Sequence, residues 1–116
     1  MAESLNLKVQ REDGIGILTI VGYINNTGGE KIADSCNEMI EEGIVRFVLD
    51  LEGCRIVNSV GISILIELIE KLKPLDGRLA FCQVTPTIAK TFRIMGLLQS
   101  CSVHDDCAQA LAAVKP

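Results

Sequence analysis

The pair Asn58-Ser59 is the part of this sequence best placed to do chemistry. An apolar run of strand length precedes it at residues 47–51, and residues 59–73 have the spacing of an amphipathic helix that Pro74 ends. Ser59 is predicted to cap this helix, after a loop over residues 52–58. Exposed loop residues held between a rigid strand and a rigid helix are where function tends to lie.

The remaining reactive side chains predict neither a catalytic centre nor a metal site. Ser59 has no His or Lys base near it in the sequence, and a zinc site around His104, the only histidine, would need distant partners. His104 is predicted to lie in solvent at a strand end. The five cysteines have no CxxC spacing and are predicted to be reduced, mostly buried and non-catalytic; they are Cys36, Cys54, Cys82, Cys101 and Cys107. We therefore expect no cofactor, no metal and no enzyme activity.

Composition favours one globular domain over residues 1–116 and argues against two classes of partner. Hydrophobic residues make up 48% of the chain, which is enough for one core. The net charge is −4 without a basic cluster, so nucleic acid and anionic membrane are not expected as partners. The first residues carry neither a signal peptide nor an apolar run of spanning length, which predicts a cytoplasmic protein.

Strand and helix patterns alternate along the chain. Two alternating runs, at residues 5–9 and 15–21, predict a hairpin, followed by a loop over residues 22–26. A capping box from Thr27 to Glu30 is predicted to start the first helix, which Gly43 ends. After the central strand and helix come a strand at 79–84, a helix opened by Thr85-Pro86, a short strand at 102–103 and a last helix capped by Asp105 or Asp106.

This order predicts an α/β fold: a mixed, mostly parallel sheet of four to five strands, entered by an N-terminal hairpin, with about four helices. In the central helix, one apolar arc is predicted to face the sheet; it consists of Ile62, Leu65, Ile66, Ile69 and Leu72. Val60 and Ile64 lie at the edge of the polar side. They either form a partly exposed docking strip beside Ser59 or broaden the arc that faces the core.

A family resemblance rests on residues 47–72, which read FVLDLEGCRIVNSVGISILIELIEKL. This run resembles the signature of STAS domains, the anti-sigma factor antagonists of bacteria. In their pattern an apolar strand ends in Asp-Leu, and Asp-Ser-Ser/Thr-Gly-Leu then opens an amphipathic helix. Asp50 matches the strand-end Asp, Ser59 the serine, and Gly61 the glycine after it. The order of elements over nearly the whole chain agrees with this STAS fold.

The resemblance implies a function and a set of site residues. In the family, a partner anti-sigma kinase phosphorylates the serine, and the unphosphorylated antagonist binds that kinase and so frees the sigma factor. By this match Ser59 is the phosphorylation site, and a serine phosphatase would be a further partner. The partner-binding residues would be Asn25, Asn58, Ser59, Val60, Gly61 and Ile64. We expect a monomer or weak dimer.

Three positions depart from the family pattern. Asn58 replaces the Asp before the serine, Val60 replaces the Ser or Thr after it, and Asn25 replaces the Asp of the Gly-x-Leu/Ile-Asp loop. A phosphate on Ser59 would still add about −1.5 to −2 charges at a helix N-terminus, which tolerates them. A partner packed on Val60 and Ile64 would have to desolvate that charge. The alternative function is an unmodified STAS scaffold or regulatory subunit of a signalling or transport complex.

Overall fold

The computed structural model describes residues 5–116, in which five strands form one mixed sheet with four α-helices around it. The first four residues of the predicted domain, 1–4, lie outside the described residues. The strands are β1 (Leu5–Glu12), β2 (Ile15–Ile24), β3 (Arg46–Val57), β4 (Arg78–Cys82) and β5 (Ser102–His104). The α-helices are α1 (Asn26–Glu41), α2 (Ser59–Leu72), α3 (Pro86–Ile94) and α4 (Cys107–Val114).

The sheet has the strand order β1-β2-β3-β4-β5. β1 and β2 form the predicted antiparallel hairpin, and the turn between them uses positive φ angles at Asp13 and Gly14. The pairs β2–β3, β3–β4 and β4–β5 are all parallel, each joined through a helix. The predicted fold class is therefore confirmed.

Side chains alternate between the two faces of the sheet and bury both. On one face Leu18, Phe47, Leu49 and Phe81 pack in the larger core, which also contains buried residues of α1, α2 and α3. On the other face a smaller core packs against α4. It contains Ile15, Ile17, Val48, Ala80 and Cys82 from the sheet, with Ala110 and Val114 from the helix.

The predicted loops at residues 22–26 and 52–58 are wrong in their extent. β2 continues to Ile24 and β3 continues to Val57, with Tyr23 paired to Ile56 and Ile24 paired to Val57. Register shifts near Thr19 and Gly22 keep the two strands paired along this length. Pairing between the strands satisfies the backbone hydrogen-bonding groups of both segments. Their polar residues had suggested loops. Both helices that follow therefore begin directly at the end of a strand.

Two predicted helix caps are also wrong, while others are confirmed. Asn25, not Thr27, caps α1, and Asn58, not Ser59, caps α2. Both helices begin earlier than predicted because their strands deliver the chain directly into the first turn. Thr85 caps α3 as predicted, with Pro86 at its first position, and Asp106 caps α4. None of the helices in the described part of the chain is long and apolar enough to cross a membrane.

Candidate functional site

Two helix N-termini lie side by side at the carboxyl end of the two central strands. Ile24 ends β2 and pairs with Val57, which ends β3, and Asn25 and Asn58 follow them directly. The backbone amide of Asn58 donates to the carbonyl of Ile24 at 3.1 Å, which ties the start of α2 to the end of β2. The sheet thus brings together the two asparagines that depart from the STAS pattern.

Each asparagine uses its side chain to cap its helix. Asn25 Oδ1 accepts from the amide of Gly28 at 2.8 Å, and Asn58 Oδ1 accepts from the amide of Gly61 at 2.8 Å. The Asn58 carbonyl also accepts the first helical hydrogen bond, from Ile62 at 3.0 Å. Asn and Asp are about equally good at this position, so the change from acid to amide keeps the cap and removes two negative charges.

Gly61 is buried under Ser59 and permits the close packing of α2 on β2. A Cβ atom at this position would lie 2.2 Å from the carbonyl oxygen of Ile24, a backbone atom that cannot move aside. Gly28 has the equivalent position in α1, where a Cβ would lie 2.4 Å from the carbonyl oxygen of Tyr23. Because Gly61 is buried, its contribution to a partner-binding surface is to hold its neighbours in place.

Ser59 is exposed at the first position of α2. Its carbonyl accepts a hydrogen bond from Ser63 Oγ at 3.0 Å, and Asn58 supplies the cap, so the Ser59 hydroxyl is not used to start the helix. An exposed hydroxyl at a helix N-terminus can be modified without breaking the hydrogen bonds of the fold, and the free backbone amides around it favour an anion.

The apolar strip predicted beside Ser59 is divided by the structure. The side chain of Val60 is 48% exposed, as a docking residue would be. Ile64 is half-buried in the seam between α1 and α2, where its Cδ1 would be 3.0 Å from a Cβ on Gly29. Leu68, which is not part of the predicted core arc, is buried at the same seam. Ile64 is thus half-buried between the two helices and not part of an exposed strip.

The structure adds Ile56 to the exposed apolar surface around Ser59. Its side chain is 52% exposed near the end of β3, within the segment predicted as a loop. A shallow cleft of about 200 Å³ lies beside it, lined by Tyr23, Ile24, Asn25, Ile56 and Asn58. Alternation along β3 would have identified Ile56 only if the strand had been recognised to reach Val57.

Asp50, the family-matched aspartate, does not lie at this site. It lies on β3 near the start of α4, on the other face of the sheet, where its carboxylate accepts from Gln83 Nε2 at 3.3 and 3.1 Å. Cys107 Sγ donates to Asp50 Oδ2 at 3.4 Å, and Cys82 Sγ lies 2.7 Å from Cys107 Sγ. Asp50 and these two cysteines bring their ligand atoms within 4.8 Å of one another, a cluster that the sequence analysis missed.

The predicted burial is confirmed for Cys36 and Cys54, and Cys101 is partly buried. Burial raises the pKa of Cys36 to about 12 and that of Cys54 to about 11. Cys101 Sγ donates to the carbonyl of Leu97 at 3.2 Å. His104 ends β5 as predicted but is half-buried, with Nε2 2.8 Å from Ser102 Oγ. Protonated, buried thiols such as those of Cys36 and Cys54 are unreactive.

Fold and site together define a class of protein, and comparison with known families agrees. Residues 6–110 match the STAS domain family. The chain belongs to this family. Ser59, the residue that the resemblance predicts to be the family serine, is exposed at the start of α2.

Individual relatives match this chain over nearly their whole length. The chain is 26% identical over 111 residues, 96% of each chain, to BtrV of Bordetella bronchiseptica, which is named as a candidate anti-sigma factor antagonist. It is similar in structure to an anti-sigma factor antagonist from Mycobacterium paratuberculosis, with a TM-score of 0.84, 22% identity, and coverage of 97% of this chain and 96% of the other. The phosphorylated form of the Bacillus cell fate determinant SpoIIAA has a TM-score of 0.73 and 17% identity, with coverage of 95% and 100%.

Proposed function

We propose that this chain is an anti-sigma factor antagonist that binds an anti-sigma factor with serine kinase activity and is released when Ser59 is phosphorylated. The observation that carries the proposal is the exposed Ser59 at the first position of α2, with its cap supplied by Asn58 and an exposed Val60 next to it. A hydroxyl that the fold does not use is free to be a switch.

The response to phosphate follows from the position of Ser59. A phosphate would meet the free amides at the start of α2, so the fold tolerates about −1.5 to −2 added charges. A partner that covers Val60 and the neighbouring Ile56 would have to remove water from that charge, and binding falls as a result. The phosphorylated form of SpoIIAA, with the same fold, supports the idea that a STAS domain can carry this modification without losing its structure.

The partner surface is proposed to centre on α2 and the cleft beside it. Asn25 and Asn58 lie at the cleft, and Val60 and Ile56 supply exposed apolar area. Ile64 lies half-buried in the seam between α1 and α2, one turn along the helix from Val60. An apolar centre with a polar rim is the usual composition of a protein interface. Gly61 acts from below, by allowing α2 to approach β2.

We infer a binding protein without enzyme activity, acting in the cytoplasm of a bacterium as one STAS domain over residues 1–116. It would regulate transcription as a monomer or weak dimer, with a serine phosphatase to restore the unmodified state. Nucleic acid and membrane are not proposed as partners, since the chain has net charge −4.

One observation favours a second function, that of an unmodified scaffold or regulatory subunit. Asn58 and Asn25 place no carboxylate where the family pattern has two, and a kinase that orients the serine through such a charge would lose its contact. The loss of two acids also lowers repulsion toward an added phosphate. The two asparagine side chains therefore disfavour the kinase reaction but favour its phosphorylated product.

Phosphorylation of the purified chain separates the two functions. The protein is incubated with ATP and each candidate serine kinase from the same genome, and the peptide containing Ser59 is analysed by mass spectrometry. The proposal expects phosphate on Ser59, none on Ser59→Ala, and faster transfer to Asn58→Asp than to wild type.

Binding gives the second half of the test. The kinase should bind wild type and Ser59→Ala with similar affinity and bind Ser59→Asp at least about tenfold more weakly, equal to about 1.4 kcal/mol. If neither wild type nor Asn58→Asp is phosphorylated and Ser59→Asp binds as wild type does, the switch is excluded and the scaffold function takes its place.

A further inference from the structure

Two cysteines that are far apart in the sequence meet on the face of the sheet opposite Ser59. Cys82 is the last residue of β4, and Cys107 is the first residue of α4. Their sulfur atoms lie 2.7 Å apart, although the residues are separated by 25 positions. Cys82 is fully buried and Cys107 is partly exposed, so one sulfur is shielded and the other can be reached from solvent.

The spacing of the sulfurs favours a pair that can form a disulfide over a metal site. Two thiolates on a tetrahedral zinc ion, with Zn–S bonds near 2.3 Å, would lie about 3.8 Å apart. The observed separation is much shorter and lies within about 0.7 Å of a disulfide bond. Asp50 completes a possible three-ligand set, but its carboxylate is already held by two contacts from Gln83 Nε2.

We propose that Cys82 and Cys107 form a redox-responsive dithiol that closes to an intramolecular disulfide when it meets a small disulfide oxidant such as oxidised glutathione. Cys107, as a thiolate, attacks one sulfur of the oxidant to form a mixed disulfide, and one oxidant thiolate leaves. Cys82 then loses its proton and attacks Cys107 Sγ, and the second oxidant thiolate leaves. Two protein thiols are oxidised, one disulfide is reduced, and the two protons end on the departing thiols.

The surroundings make this reaction slow at neutral pH. Burial, first of all, raises the pKa of both thiols, and Asp50 adds to the effect. Asp106 further raises the pKa of Cys82, whereas hydrogen bonds with Cys82 and Gln83 offset part of the rise in the pKa of Cys107. Since the thiolate is the attacking species, closure should accelerate as the pH rises above neutral. In a reducing compartment without oxidant the pair stays as two thiols.

Closure would fasten α4 to the sheet without touching the proposed partner surface. α4 packs against Val48, Ala80 and Cys82, whereas α1 and α2 cover the opposite face. A bond across 25 positions constrains the unfolded chain and should raise the unfolding temperature by roughly 10 °C. The inference does not rest on the proposed function, because its readouts are thiol count and stability, not partner binding.

The test treats the reduced protein with oxidised glutathione at mildly alkaline pH and counts free thiols by titration after denaturation. Wild type should fall from five free thiols to three, with an intact mass about 2 Da lower and a Cys82–Cys107 linked peptide. The matched control Cys101→Ser, which replaces another partly exposed cysteine, should still lose two thiols. Cys107→Ser should form no linked peptide and show no rise in unfolding temperature.

Three results would overturn the inference. The first is an unchanged thiol count in wild type under oxidation at every pH tested. The second is a stable glutathione adduct on Cys107 with no linked peptide, which would mean that Cys82 cannot reach it. The third is stoichiometric zinc in the purified protein that Cys107→Ser loses, which would make the cluster a metal site.

Discussion

The N-termini of α1 and α2 are built alike but carry different surfaces. Each follows a central strand directly, each has an asparagine cap, and in each the cap accepts from a glycine amide three residues later at 2.8 Å. Each glycine lies against a carbonyl of β2, that of Tyr23 under α1 and that of Ile24 under α2. The shared geometry shows that an asparagine cap at the end of a strand, followed by a buried glycine, starts both helices.

The difference lies in the two residues between cap and glycine. In α1 they are Asn26 and Thr27, whereas in α2 they are Ser59 and Val60. Only α2 thus combines a hydroxyl at the first helical position with an exposed apolar side chain at the second. Neither pair of side chains caps its helix, so neither is needed to start it. Of the two pairs, the one on α2 fits the proposed docking site that phosphorylation would switch.

The largest expected loss of stability comes from replacing the buried glycine in the first turn of α1 or α2. Gly61→Ala and Gly28→Ala should each lower the free energy of unfolding by about 2 kcal/mol or more, because the new methyl group meets a backbone carbonyl. Gly29→Ala is the control, since its nearest neighbour is the movable Ile64 side chain. Urea unfolding measures all three. A Gly61→Ala protein as stable as wild type would show that α2 does not pack this closely on β2.

The next effect should separate the two helix starts. Ser59→Asp is expected to weaken binding of the anti-sigma factor at least about tenfold, whereas Asn26→Asp, at the same position of α1, should change the affinity less than about twofold. A charge matters only where the partner must remove its water. Titration calorimetry with both variants checks this. Equal losses for the two would mean that the interface covers both N-termini.

Removal of either cap should have a moderate and equal cost. Asn25→Ala and Asn58→Ala each lose one side-chain acceptor for a glycine amide, so each should lower the free energy of unfolding by about 1 kcal/mol. Replacement by Asp should change it by less than about 0.5 kcal/mol, as both residues cap well. Chemical denaturation of the four variants tests the equivalence, which fails if one alanine variant is as stable as wild type.

The smallest effect is expected for the side chains between cap and glycine. Ser59→Ala and Thr27→Ala should each stay within about 0.5 kcal/mol of wild type in unfolding free energy, because Asn58 and Asn25 do the capping. If Ser59 were the cap of α2, the Ser59→Ala change would instead cost about 1 kcal/mol of unfolding free energy. Thermal and urea unfolding should agree on it. A loss near that larger value would make the hydroxyl part of the helix start.

Local sequence patterns were enough to predict the fold class and the position of the serine at the start of the central helix. Periodic apolar residues in alternating strand and helix patterns were enough for a mostly parallel sheet with an entering hairpin, and the start of α3 followed from Thr85-Pro86. These signals are local, since the spacing of buried side chains follows directly from helix and strand geometry. The match of Ser59 to the family serine likewise used contiguous residues.

The residues that cap the helices, and the side chains that meet, depend instead on contacts between distant parts of the chain. Whether Asn58 or Ser59 starts α2 depends on where β3 ends, and pairing of β3 with β2 decides that through contacts between distant residues. Leu68 became part of the core, and Ile64 became half-buried, because α1 packs beside α2. Cys82 and Cys107 met because α4 returns to the sheet, a contact between residues 25 positions apart that no local pattern encodes.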